Sequence, residues 1–155
     1  MTSSRSRARP GDLIEVNTPR GLAYLHYTAR HPDFGDTVFV LPGLHASRPR
    51  EWSSPHEQDG YFAFYPVGAA LRQGLAEVVA RLPISAGMDT PPALRRPGAR
   101  SQDGKVLCWL VWDGKEEVVK PELSPSERHL PIGAIWNHEM LLLRLSEGWR
   151  PEQEA

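Results

Sequence analysis

Six histidines, one cysteine and a scatter of carboxylates are the residues of this 155-residue chain with the most chemistry to offer. The histidines are His26, His31, His45, His56, His129 and His138. A helical zinc pair needs two of them four residues apart, or a His-Glu-x-x-His run, and neither spacing occurs. They are expected to be scattered on the surface, with no metal bound. Cys108 is the one thiol, so an intrachain disulfide or a thiolate metal cage has no second ligand. It stands between Leu107 and Trp109 in an apolar run, where a thiol is buried and inert rather than exposed and acidic. No Gly-x-Ser-x-Gly elbow marks a serine nucleophile. Glu116 and Glu117 are adjacent, so on a strand they point to opposite faces and cannot act as a general acid and base on one substrate. No glycine-rich fingerprint joins a strand to a helix, so a phosphate cradle of the usual kind is not indicated. The expectation is a non-catalytic protein with no cofactor.

Aromatic and arginine residues offer a different chemistry, that of contact. Trp52 lies in the polar segment "LHASRPREWSSPHEQDG" (44–60) with Arg48, Arg50, Glu51, His56 and Glu57. Trp and Arg are enriched among interface anchors, and long loops are often functional. Arg48, Arg50, Trp52, His56 and Glu57 are therefore the expected partner-binding set; the competing reading is that Trp52 pins its own loop to the domain. "RRPGAR" (95–100) reads as a second, exposed basic loop. In "GLAYLHYT" (21–28), His26 stands between two tyrosines. Strand alternation puts Ala23, Leu25 and Tyr27 on one face and Leu22, Tyr24, His26 and Thr28 on the other. The first face is the more apolar and should look inward, so His26 should look outward beside Tyr24. Tyr24, His26 and Trp112 would then offer stacking surfaces for a small ligand or a single-stranded nucleic acid.

Positioning these residues falls to short elements. Strands are expected at 12–18, 22–29, 37–43 and 61–67, with "PRG" (19–21) as a three-residue hairpin loop. "GAALRQG" (68–74) fits a short helix closed by Gly74, and 75–84 reads as a strand following it, the alternative being a continued helix with Leu71, Leu75, Val78 and Leu82 on one face. Residues 85–104 form a Pro/Gly/Ser-rich connector. "KVLCWLVWDGKEEVVK" (105–120) is the clearest hairpin, turning at Asp113-Gly114, with its first run apolar on both faces and hence a central strand. Ser124-x-x-Glu127 is a capping box with Pro125 at the first helical position, opening a helix that Pro131 stops. In 136–151, Asn137 is the N-cap, Gly148 the stop, and Leu141, Leu145 and Trp149 form one apolar stripe.

Bulk composition agrees with one globular domain. Forty per cent of the residues are hydrophobic, 24% are charged, and 15 prolines with 13 glycines predict many turns. A net charge of −1 argues against nucleic-acid partners, which select a basic stripe. No run reaches the ~20 apolar residues of a membrane span. "MTSSRSRARP" has arginines but no apolar core, so it is not a secretory signal. A reducing cytosol suits the single cysteine. The expected organisation is a disordered basic tail (1–10), one small barrel-like domain (11–150) and a frayed end (151–155).

The order "PGDLIEVNTPRGLAYLHY", "FYPVGAALRQG", "VVARLPI", "KVLCWLVWDGK", "LPIGAIW" resembles the layout of bacterial immunity proteins of the immunity protein 26 type, over residues 10–149. That layout starts with a Gly-Asp-hydrophobic hairpin and continues through an aromatic-Val-Gly segment to a Trp-x-x-Asp-Gly hairpin. The resemblance implies a compact β-rich fold and a cytoplasmic, non-enzymatic role, neutralising a cognate protein toxin by binding it. The fold expected overall is α+β and mostly β: a strongly bent antiparallel sheet, or a small Src-homology-type barrel, with a C-terminal helix packed on it.

Overall fold

The computed structural model describes residues 7–154, which form eight strands and two α-helices. The fold is α+β and sheet-dominated. β1 (Asp12–Thr18), β2 (Gly21–His31), β3 (Gly35–Val40) and β4 (Tyr61–Phe64) make an antiparallel meander, and β5 (Glu77–Arg81) joins the free side of β1. The order is β4-β3-β2-β1-β5. β4 and β5 are the edges and do not pair with each other, so the sheet is open and the barrel alternative is not formed. A second sheet contains β6 (Leu94–Pro97), β7 (Trp109–Trp112) and β8 (Glu117–Lys120), with β7 central.

The opening hairpin turns more tightly than its sequence suggested. Thr18 pairs with Gly21, leaving only Pro19 and Arg20 in the loop, and the Thr18 hydroxyl accepts from the Arg20 amide at 3.1 Å. Gly21, paired with Thr18, opens β2, and only glycine fits there because a Cβ would sit 2.9 Å from the His45 carbonyl oxygen. The backbones of Leu22 and His45 exchange hydrogen bonds at 2.7 and 2.9 Å, which anchors the start of the loop 44–60.

α1 (Val67–Arg72) is closed at Gly74, whose amide donates to Leu71 while Leu75 donates to Ala70. α2 (His138–Glu147) starts at Asn137, whose side chain accepts from the Met140 amide at 2.7 Å. It stops at Gly148, at φ 67°, a left-handed conformation that costs a glycine little. Leu141 and Leu145 are buried against Ile14, Val16, Leu25, Val38 and Val40 of the sheet, with Trp149 packed beside them. Each such leucine contributes about 1.5–3 kcal/mol.

Five expectations need correction. The connector 85–104 contains β6, and "RRPGAR" is not an exposed loop, because Arg95 is fully buried within that strand. The Ser124–Glu127 box forms as expected, at 2.8 and 3.3 Å, but opens only one 3-10 turn, Glu127–His129. Residues 151–154 are not frayed: Pro151–Gln153 is a 3-10 turn and Pro151 is buried. Of the expected tail, residues 1–6 lie outside the described residues. Arg9 and Pro10 are held, Arg9 donating to Asp12 at 2.9 Å and Pro10 accepting from Arg81 at 3.0 Å.

Segment 131–136 ties the sheets together. On the β6 side the Arg95 amide donates to the Pro131 carbonyl at 3.0 Å and its carbonyl accepts from the Gly133 amide at 2.8 Å, while the Trp136 amide donates to Phe64 of β4 at 2.8 Å. No described helix is long and apolar enough to cross a membrane.

Candidate functional site

Both faces of β2 are covered, and that decides the fate of most candidate residues. Ala23 and Leu25 face α2 and the main core, as expected. The opposite face was expected to be the outer wall, yet Tyr24 and His26 are 1% and 0% exposed. The loop 44–60 lies over it. Trp52 meets the Tyr24 ring edge-on at 4.7 Å, and His45 approaches the same ring at 5.5 Å. Arg48 grips Glu15 of β1 with two bonds, at 2.7 and 3.0 Å, and reaches Glu77 at 3.4 Å. Tyr24 donates its hydroxyl to the same Glu15 at 2.9 Å. The Arg48 guanidinium, helped by that hydroxyl, holds the Glu15 carboxyl below its usual range against the opposing effect of burial. Burial and the Glu15 charge push the Tyr24 phenol up to about 12.

His26 is fixed in one tautomer by its partners. Its Nε2 lies 3.0 Å from the Leu82 carbonyl, which can only accept, so Nε2 carries the proton. A neutral ring then has a bare Nδ1, which accepts from His56 Nε2–H at 3.0 Å. His56 Nδ1 is left as a buried acceptor without a partner, the ring packing on Phe39 at 5.0 Å. Burial pushes both histidines below the usual range, and for His56 the neighbouring His26 adds to the effect.

Of the expected partner-binding set, Arg48, Trp52 and His56 thus fasten the loop to the sheet. Pro55 is buried beneath its single 3-10 turn. Arg50, Glu51 and Glu57 keep exposed side chains on the same loop. Tyr24, His26 and Trp112 do not share a groove. Trp112 is on β7 and meets the His31 ring of β2, with ring centroids 5.2 Å apart. His31 is seven residues along the strand from Tyr24, roughly 23 Å at ~3.3 Å per residue.

Two residues that local spacing did not single out are the most unusual in the molecule. Arg95 stacks on Trp109 at 4.4 Å and donates to four backbone carbonyls, those of Arg128, Leu130, Pro151 and Glu154. His31 is 2% exposed and has a buried Nε2 with no partner. Nothing in one sequence announces either, because their partners are distant in the chain or are backbone atoms. Among the described residues, no group of three or more His, Cys, Asp or Glu side chains is arranged to hold a metal ion. Cys108 is half-buried, its sulfur accepting from the Ala99 amide at 3.4 Å. No family model, no curated protein and no solved structure matches this chain.

Proposed function

We propose that the protein is a non-catalytic binding module that captures a protein partner with the outer rim of the loop 44–60. One observation carries this reading. The loop is fastened to the sheet at His45, Arg48, Trp52 and His56, so the exposed Arg50, Glu51 and Glu57 are presented on an ordered scaffold. Binding then loses little loop entropy, which is where an interface gains from preorganisation. Charged rim residues of both signs supply orientation and selectivity more than raw affinity. Together with the resemblance to immunity proteins, the rigid rim supports a reading in which the partner is a cognate bacterial toxin met in the cytoplasm, its active site occluded by the loop.

The test is titration calorimetry of the purified protein against the product of the adjoining gene. Tight one-to-one binding is expected, and the double reversal Arg50→Glu with Glu57→Lys should weaken it about tenfold or more while leaving the melting temperature unchanged. Absence of binding, or binding indifferent to that reversal, refutes the assignment.

A further inference from the structure

A narrow cleft of about 190 Å³ opens between the end of β2 and the second sheet, lined among others by His31, Asp33, Phe34, Arg96, Trp112 and Glu117. Pockets for drug-sized molecules run to about 300–1,000 Å³, so this one suits a fragment or a single side chain. It shares no residue with the loop 44–60 and is independent of the protein-binding reading.

His31 sets the chemistry. Its Nδ1 accepts from two backbone amides, Asp33 at 3.0 Å and Phe34 at 3.2 Å. Amide nitrogens only donate, so Nδ1 must be unprotonated and the ring's proton is on Nε2. Protonating Nδ1 would set it against both donors, and burial also disfavours the cation. His31 is thus a fixed neutral donor, and that donor is buried with no acceptor in the fold. Unmatched buried donors are rare in folded proteins and each calls for an explanation, a bound group being one. The surrounding surface is aromatic: Phe34 and Trp112 each have ring centroids 5.2 Å from the His31 ring, inclined to it by 54° and 67°. The charged groups are biased. Arg96 is already paired with Glu117 at 2.6 Å, and Asp33 adds a second carboxylate against that single guanidinium. A carboxylate ligand is therefore repelled, and an ammonium has no oxygen to give His31.

We propose that this cleft binds a planar, uncharged carboxamide. Its carbonyl oxygen accepts from His31 Nε2–H, its flat body lies against Trp112, and its NH₂ donates to Glu117. The ligand class is an aromatic carboxamide or the side-chain amide of a bound peptide, which present the same group.

Benzamide is the probe, followed through the ¹⁵N resonances of the histidine rings in the full chain. A saturable shift of the His31 Nε2 signal is expected, with a Kd on the order of 1 mM, as befits a fragment. Benzoate and benzylamine should bind at least about tenfold more weakly, each lacking one half of the hydrogen-bond match. His31→Phe keeps a ring but removes the donor and should abolish the benzamide response of the neighbouring Trp112 indole signal. Trp112→Ala, at a partly exposed position, should weaken benzamide binding about tenfold and provides a second variant independent of the His31 substitution. Absence of a saturable benzamide shift, benzoate binding as tightly as benzamide, or unchanged benzamide affinity in Trp112→Ala would each overturn the proposal. Acetamide, an uncharged stand-in for a side-chain amide, compared with benzamide separates the two sources: a shift with both supports a bare amide site, a shift with benzamide alone the aromatic one.

Discussion

His26 and His56 form a pair in which one added proton has nowhere good to go. His26 Nε2–H is committed to Leu82, and His26 Nδ1 to His56. The next proton must land on His56 Nδ1, buried without a partner, or break the chain. Burial depresses both pKa values below their ordinary 6.5, opposed at His26 first by the Leu82 carbonyl, then by the Gly11 backbone and the Asp12 charge. In the unfolded chain both histidines protonate near 6.5, so there the unfolded state binds more protons than the folded one. Stability is therefore intact above pH ~6.5 and falls as the pH drops through and below it, by up to about 1.4 kcal/mol per pH unit for each depressed histidine. His31 and His138 are depressed by burial too and add to the same slope. Urea denaturation at pH 7.5, 6.5 and 5.5 (values roughly bracketing the free histidine pKa) should show this fall, and a His26→Gln/His56→Gln double variant should show a shallower one. An equal slope in that variant would mean the pair does not control the acid limb. Alternation along the strand placed His26 on the correct face, opposite Ala23 and Leu25, but mistook that face for an outer wall. Its cover comes from His56 and Leu82, 30 and 56 residues away, which no local pattern conveys.

Elements whose signals are local were readable. The opening hairpin, the Asp113-Gly114 hairpin, the order of α1 then β5, and both ends of α2 follow from side chains within a few residues of each other. β6 was not readable. Its Leu-Arg-Arg-Pro sequence lies in a Pro-rich stretch with no alternation, and it is a strand because β7 and segment 131–136 complete its hydrogen bonds. Pro97 is tolerated at its last position, where a ladder amide is dispensable. Nor could a capping box tell one 3-10 turn from two helical turns, since the same bonds open both. For α2 the local signal is also the energetic one. The Asn137 side chain satisfies one of the free amides of the first turn, and Asn137→Ala should lower stability by about 1 kcal/mol in urea denaturation. Asn137→Asp should retain most of it, because a carboxylate caps the same amide and favours the positive end of the helix. Equal losses in the two variants would show that the cap bond contributes nothing.

At the scale of the molecule, Arg95 connects the second sheet to both the 127–130 turn and the end of the chain. A buried guanidinium usually faces a carboxylate, but here its hydrogen bonds all go to main-chain oxygens, with Glu152 and Glu154 contributing only at a distance. The planar fork suits this: one group satisfies four carbonyls and still lies flat on Trp109. Arg95→Met keeps the stem over the indole but strands those acceptors. Buried unpaired polar groups cost about 1–3 kcal/mol each, so a loss of at least about 3 kcal/mol is expected. Deleting residues 151–155 removes the Pro151 and Glu154 acceptors and leaves the guanidinium half-matched, so it should destabilise by a similar amount through the same contact. The two changes together should then cost clearly less than their sum, since the second removes partners the first has already abandoned. Urea denaturation of the four chains forming this cycle provides the measurement. Losses that add to within about 0.5 kcal/mol would mean that Arg95 and the chain end act separately, leaving the terminal turn held by Pro151 burial, the Arg144–Glu154 and Arg150–Glu152 ion pairs and the His129–Glu152 contact at 3.4 Å.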